Sequence, residues 1–272
     1  MTSIFKIAPV SVVIPCFRCG LTIERALRSV LQQSQVPAEV ILVDDASGDD
    51  TWAILTALEE KHPGLVKLVQ MDKNQGAGSA RNAGWATASQ PFIAFLDADD
   101  AWHPEKIEIQ YAYMKANPDV ALCGHGHRVL KQNVLPSWKI PVGSVQLIHK
   151  WALMRSNRFV TPSAMLRSNM SQRFVEKQRH MEDHMLWLKI VCSGARVVKL
   201  SEELAAIYKE PFGVTGLSAQ VWLMERADLG NYRRLYADSC ITSYQLMALG
   251  VYSALKYVRR LFIYWGYLLW RK

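Results

Sequence analysis

The chain predicts an α/β fold built on a mainly parallel, mixed sheet flanked by helices, and three observations carry that reading. Short apolar, β-branched runs alternate with stretches of helical periodicity, a pattern that specifies parallel strands joined by crossover helices. Each of those runs ends in a polar or glycine-rich cluster, and ligands of such sheets bind beyond the carboxyl ends of the strands. The chain is also long enough to bury a full core, with 272 residues of which 50% are hydrophobic.

The elements follow in order. Val10-Ser11-Val12-Val13-Ile14-Pro15 is a buried strand that stops on a proline, and Leu21 to Gln33 is a helix with Ile23, Ala26, Leu27, Val30 and Leu31 on one face. Val40 to Val43 is a second strand running straight into Asp44-Asp45-Ala46-Ser47-Gly48-Asp49-Asp50. Thr51 to Lys61 is helical, with acidic and hydroxyl N-cap candidates just before it. A third strand, Leu65 to Val69, leads to the small-residue stretch from Asn74 to Gly84, where the backbone can approach a ligand and Arg81 can meet phosphate charge. The fourth strand, Phe92 to Leu96, is closed by Asp97-Ala98-Asp99.

Carboxylates at the end of a buried strand are costly unless a cation meets them. Mg²⁺ or Mn²⁺ holding a diphosphate suits such a place, because hard ions take one or two carboxylates and fill their remaining positions with phosphate oxygens and water. One Asp-x-Asp by itself is an ordinary coincidence in a chain of this composition. Its order relative to the other three clusters is what makes it informative.

The ordered set VSVVIPCF, VILVDDASGDDT, NQGAGSARNAG and FLDADD resembles the nucleotide-binding half of a glycosyltransferase family 2 enzyme with the GT-A fold. Met181-Glu182-Asp183-His184 through Lys189 is similar to the family's helical Glu-Asp segment, and weaker similarity runs through Thr161 to Arg167 and Ile207-Tyr208-Lys209. The resemblance implies a catalytic unit over residues 1–218, with a nucleotide-sugar half at about 7–103 and an acceptor half at about 104–218. It leaves residues 219–272 as a helical, basic and aromatic appendage.

What the resemblance implies about the site is specific. Asp183 is the expected general base of an inverting transfer, with Glu182 nearly as good on chemistry alone. Adjacent helical residues point about 100° apart, so the two cannot serve one reacting atom. Asp99 is the expected metal ligand with His184 beside it, and Asp97 and Ala98 face the ribose and diphosphate. His180 and His184, one helical turn apart by spacing, could also chelate a metal, and one of them is rather expected to shape the site beside Asp183. Asp45 accepts the base N3–H, which suits uracil because a carboxylate only accepts. Pro15 and Phe17 line the base pocket; Gly76, Ser79 and Arg81 serve the phosphates. The implied reaction moves a sugar from a UDP-sugar to a saccharide hydroxyl, with Mn²⁺ or Mg²⁺ as cofactor and a polyprenyl-diphosphate-linked acceptor in cell-surface polysaccharide synthesis. Cys16-Phe17-Arg18 departs from the small-polar, Tyr-Asn type of sequence common after the proline in that family. A nucleotidyltransferase would share the sheet but needs a glycine-rich basic loop after the first strand, and Pro15 to Gly20 has one glycine, at its end. A non-catalytic scaffold of the same fold would not be expected to keep Asp45, Asp99 and Asp183 together.

Charge and composition narrow the partners. The net charge is +8, and residues 231–272 hold seven Lys and Arg against one Asp. Leu261 to Trp270 is an unbroken apolar, aromatic run; ten residues are half the length a helix needs to span a bilayer core. Basic residues around such a run, among them Lys256, Arg259 and Arg260, suggest a helix lying on an anionic membrane, placing the protein in the cytoplasm on the inner face of the plasma membrane. Truncation after Gly250 is then expected to release the protein from anionic vesicles and to spare UDP binding. The alternative use of the same tail is packing on the catalytic unit or on a second copy in a homo-oligomer. No nucleic-acid module is recognisable. Five cysteines, an odd number, are expected to stay reduced, and the amino end shows no cleavable signal. Cys123, His125 and His127 alternate along a strand without the spacing of a zinc site and are expected to line the acceptor side. Trp52, Trp85 and Trp102 are expected to pack, with Trp102 the best placed to meet a sugar.

Overall fold

The structure is a computed structural model describing residues 6–132, 134–138, 143–208 and 221–270. Its described residues form one nine-stranded mixed sheet flanked by eight α-helices. Strands β1 (Lys6–Cys16), β2 (Gln35–Asp44), β3 (Val66–Gln70) and β4 (Phe92–Phe95) are all parallel, in the order β3-β2-β1-β4. Helices α1 (Ile23–Leu31), α2 (Thr51–Lys61) and α3 (Ala77–Thr87) connect them. Alternation decides the two faces: Val12, Ile14, Val40, Leu42 and Ala94 join one core with α1, while Val13, Ile41, Val43, Ile93 and Phe95 join the other with α3. Gly84 is a packing requirement of that second face, since a Cβ there would lie 2.5 Å from Cγ1 of Val13.

Beyond β4 the direction alternates. Strand β8 (Met165–Arg167) is antiparallel to both β4 and β6 (Val120–Leu130), and β6 pairs in parallel with β9 (Arg196–Tyr208). Short strands β5 (Ala101–Trp102) and β7 (Val145–Leu147) lie antiparallel on β9. Because β8 is reversed, the segment entering it starts at the carboxyl ends of β1, β2 and β4, and β9 finishes there. One rim thus receives residues from both halves of the sequence.

Helix α4 (Lys106–Ala116) leads into β6, α5 (Lys150–Arg155) precedes β8, and α6 (Glu182–Cys192) precedes β9. The described C-terminal region is two helices, α7 (Val221–Ala237) and α8 (Ser243–Trp270), joined to the second core through Tyr232, Leu235 and Leu249. Among the described residues no helix is long and apolar enough to cross a membrane. The boundary expected between 218 and 219, and Lys209 of the weaker similarity, lie outside the described residues, as do the side chains of residues 263–270.

Candidate active site

The rim encloses a crevice of about 880 Å³ that Pro15, Phe17, Asp45, Arg81, Asp97, Ala98, Asp99, Glu182 and Asp183 all line. These residues come from three strand ends, those of β1, β2 and β4, and from helices α3 and α6, and the fold gathers them because the parallel strands point the same way. Gly76, Ser79 and His184, expected in the same site, are not among the lining residues.

Arg81 joins the two walls. Its side chain is 4% exposed, with Nη2 2.5 Å from Oδ1 of Asp97 and Nη1 3.1 Å from Oε1 of Glu182. Burial alone would push its pKa down, but the charges of Asp97 and Glu182 outweigh it and hold the guanidinium firmly protonated. Glu182 moves the other way. Burial first, and then the neighbouring Asp183 charge, push its carboxyl up to about 7 against the pull of Arg81. Gly78 permits this approach: a Cβ on it would come within 3.1 Å of Cγ of Glu182.

Asp183 stands one residue further into α6, half-buried, and Oδ2 accepts a hydrogen bond from Nδ2 of Asn157 at 3.0 Å. The helix starts abruptly after Met181, whose φ of 54° is left-handed, so His180 lies outside it. His180 lines the crevice, and its Nδ1 has no hydrogen-bond partner. His184 points elsewhere: Nε2 donates to the carbonyl of Leu153 at 2.8 Å, and Nδ1 lies 3.4 Å from Oδ1 of Asp228. The helical pairing of His180 with His184 therefore does not form, and His184 is not brought to the Asp-x-Asp wall.

The opposite wall is held largely by Asp45. Its Oδ1 accepts from Gln75 N–H and its Oδ2 from Gly76 N–H, both at 2.8 Å, so this carboxylate fastens the small-residue loop to the end of β2. Gly76 has φ of 89°, a conformation that favours glycine, and is the N-cap residue just before α3. Ser79 is turned away; its hydroxyl donates to Gln75 O and accepts from Lys177 N–H, tying α3 to the segment before α6.

Asp97 and Asp99 present only oxygen donors to the crevice, and the described residues hold no cluster of three or more His, Cys, Asp or Glu suited to a metal. That donor set fits a hard divalent ion that takes its remaining ligands from phosphate and water, and it does not fit a protein cage for zinc.

Several residues at the rim carried no sequence signal. Arg25 of α1 donates from Nη2 to the carbonyl of Asp99 and lies over the Tyr208 ring, 3.8 Å from its centroid. Arg179 donates to Oδ1 of Asn74 at 2.9 Å across the crevice mouth. Adjacency to the Glu-Asp segment is the one clue to Arg179. Cys16 and Cys19, spaced as Cys-x-x-Cys and not recognised as a pair, both line the crevice; contact with Cys19, then burial, pushes the Cys16 thiol up.

The expected acceptor strand does not reach the crevice. None of Cys123, His125 and His127 lines it; Cys123 and His125 are buried in the sheet, and β6 is irregular around Gly126. Trp102 is also interior, 2% exposed, with its indole N–H donating to Pro162 O at 2.8 Å, so it supports the rim from beneath.

The family model for glycosyl transferase family 2 matches residues 11–171, more than half of the chain, and the protein belongs to that family. It is 40% identical over 99 residues to an uncharacterized glycosyltransferase of Nostoc sp., which covers 36% of this chain and 30% of that protein. With the UDP-Glc:alpha-D-GlcNAc-diphosphoundecaprenol beta-1,3-glucosyltransferase WfaP of Escherichia coli it shares 28% identity over 191 residues, 69% of this chain and 72% of WfaP. The fold is similar to that of S. aureus TarS residues 1–349 in complex with UDP-GlcNAc, with a TM-score of 0.65 at 19% identity over 89% of this chain and 70% of that one. The chain spans less than a third of the Nostoc relative and about seven tenths of the other two. The family match and the fold together make the chain a glycosyl transferase family 2 member with a GT-A fold.

Proposed function

We propose that the protein is an inverting hexosyl- or N-acetylhexosaminyltransferase that moves a sugar from a UDP-sugar to a hydroxyl of a polyprenyl-diphosphate-linked saccharide. The observation that carries this reading is the convergence of Asp97, Asp99 and Asp183 on one crevice with Arg81 buried between its walls. UDP-glucose and a diphosphoundecaprenol acceptor in the name of the E. coli relative, and UDP-GlcNAc on TarS, support the donor and acceptor classes.

Asp183 takes the proton of the acceptor hydroxyl as its oxygen attacks the anomeric carbon, and UDP departs from the opposite face. One displacement inverts the centre and needs no covalent enzyme intermediate. Asn157 orients the Asp183 carboxylate through its amide. Asp99, with Asp97 beside it, would hold Mg²⁺ or Mn²⁺, which supplies charge neutralisation for the leaving diphosphate. Arg81 keeps both carboxylate walls at fixed separation and adds positive charge near that diphosphate. On the far wall, Asp45 has lone pairs beyond those used by the loop to meet the uracil N3–H, with Pro15 and Phe17 along the base. Calorimetry tests the reading: UDP should bind with Mg²⁺ or Mn²⁺, weaken with chelator, and lose its metal dependence in Asp99→Ala. Equal UDP binding with and without chelator would end the metal assignment.

The C-terminal region supports a place on the inner face of the plasma membrane. Tyr244, Met247, Val251, Leu255, Val258 and Phe262 of α8 are all exposed and recur every three or four residues, forming one apolar stripe. Arg259 and Arg260 are exposed beside it, but Lys256, expected in the same basic stripe, turns inward to Asp228. Truncation after Gly250 would therefore strip a partner from a buried carboxylate as well as remove the stripe. Leu255→Ser with Arg259→Gln and Arg260→Gln is the cleaner test: binding to phosphatidylglycerol vesicles should fall with UDP affinity intact, and unchanged vesicle binding would favour a protein interface.

A further inference from the structure

Helix α5 is short, and the last carbonyls of a helix have no partner within it. Here three consecutive ones are met by side chains from three other helices. Leu153 O accepts from His184 of α6 at 2.8 Å, Met154 O from the Tyr232 hydroxyl of α7 at 2.8 Å, and Arg155 O from Lys256 of α8 at 3.4 Å. All three side chains then converge on one carboxylate. Asp228 of α7 has Oδ1 3.4 Å from Nδ1 of His184, and Oδ2 3.1 Å from Nζ of Lys256 and 3.5 Å from the Tyr232 hydroxyl.

The consequences reach the crevice from both sides. Two residues after α5 ends, Asn157 donates to Asp183, and one residue after Asp183, His184 enters the cluster. The Asp228 side chain is 4% exposed, far from the donor wall of β1, β2 and α3 in sequence, and lines no part of the crevice. Burial by itself would raise its pKa, but His184 and Lys256 outweigh that and keep the carboxylate ionised. The ionised carboxylate holds Lys256 by charge and attracts His184 when its ring carries both protons, since Nε2–H is given to Leu153 O; the Tyr232 proton goes to Met154 O, and its hydroxyl lies against Asp228 at 3.5 Å.

We propose that Asp228 is a positioning residue for sugar transfer: by gathering His184, Tyr232 and Lys256 it locks the end of α5 to the first turn of α6 and so sets the Asn157–Asp183 contact. The C-terminal helices are then part of the catalytic assembly as well as a candidate membrane surface. The inference rests on Asp183 being the base.

The test uses the full chain and the UDP-sugar that gives the fastest UDP release in a donor screen. Asp228→Asn should lower kcat at least tenfold while donor KM and UDP affinity stay within twofold, because the donor wall is untouched. In an Asn157→Ala background the same change should cost less than twofold, since the contact it sets is already gone. Undiminished loss in that background, unchanged kcat, or a rise in donor KM matching the fall in kcat would overturn the proposal. Should Asp228→Asn fail to fold with Lys256 left buried and unpaired, Asp228→Asn with Lys256→Met removes both charges and is expected to give the same kcat loss. Hydrogen exchange supplies a readout that needs no substrate: residues 156–162 should exchange faster in this double variant and residues 10–16 should not, and unchanged protection at 156–162 overturns the proposal. Asp183→Asn separates the two readings. Normal turnover in that variant removes the base assignment, whereas its loss alongside a silent Asp228→Asn removes only the role of Asp228.

Discussion

Two desolvated glutamates, Glu39 buried and Glu182 half-buried, lie toward opposite ends of the parallel half of the sheet, and their carboxyls are displaced in opposite directions. Glu39, 2% exposed, is toward the amino ends of the strands; its Oε1 accepts from the Ser11 hydroxyl at 2.6 Å and from the Ser89 N–H at 2.6 Å, and its Oε2 meets Lys67 at 2.5 Å. Burial would raise its pKa, but these hydrogen bonds reverse the effect and hold it at about 2. Glu182, at the carboxyl ends, has one cationic partner and a second carboxylate next to it, and is pushed up to about 7. Desolvation is common to both. The difference is saturation: a buried carboxylate given a full set of donors is a structural anchor, and one left short beside another acid belongs to a functional cleft.

That contrast can be broken most sharply at Asp183, the acid beside Glu182. Asp183→Asn keeps the shape and removes the proposed base, and transfer should fall by about 10² to 10⁴ with UDP affinity close to normal. Near wild-type turnover would move the role to Glu182 and erase the distinction between a strained acid and a catalytic one.

The next effect concerns the ion that joins the walls. Arg81→Met removes the buried cation shared by Asp97, 31% exposed, and Glu182, 14% exposed; breaking a fully buried pair costs about 3–5 kcal/mol, an upper bound for these half-buried acids. Urea denaturation should show a loss of up to that size. A loss under about 1 kcal/mol would mean that the walls do not depend on the pair.

Glu39 predicts a smaller and pH-dependent loss. Glu39→Gln should cost about 1–3 kcal/mol at neutral pH, the usual penalty for unbalancing buried hydrogen bonds. Because its folded pKa lies below the ordinary value, the stabilisation from ionised Glu39 is present above about pH 4.5 and disappears as pH falls toward 2. The wild type and Glu39→Gln should therefore converge in stability over that acid window. Parallel curves would show that the hydrogen bonds to Glu39 carry no charge-dependent share.

Glu182 gives the smallest expected change. Losing one negative charge at the crevice should favour a diphosphate by on the order of 1 kcal/mol, roughly fivefold in affinity. As pH falls from 8 to 6 Glu182 takes up its proton, so UDP should bind more tightly to the wild type. Glu182→Gln should bind tightly across the whole range. A wild-type slope that survives in Glu182→Gln would assign the titration to another group.

The strand ends show how far local information reaches. Val10 to Pro15, Val40 to Val43 and Phe92 to Leu96 alternate between two apolar cores, and that alternation alone places Asp45 and Asp97 at one rim. Local patterns misjudge extent where the partner strand decides it: β2 begins at Gln35, before Val40, because residues 35–37 pair with residues 6–8 across a bulge, and Pro37 disguises the strand. The helical reading of His180 fails at Met181, whose left-handed backbone starts α6 two residues later than the histidine.

Periodicity and short ordered segments at strand ends are enough to set the α/β class, the parallel half of the sheet, the family and most of the crevice-lining acids. Only the tertiary structure decided that β8 enters between β4 and β6, that Arg81 bridges Asp97 to Glu182, and that Asn157 holds Asp183. It also decided that His184 and Lys256 meet at Asp228 and not in the crevice or on the outer stripe. The physical reason is range. A side chain's face within its own strand or helix follows from its neighbours in sequence, whereas the partner of a buried charge is whichever donor or acceptor the packing brings within about 3 Å, here from residues 16 to 101 positions away in the chain.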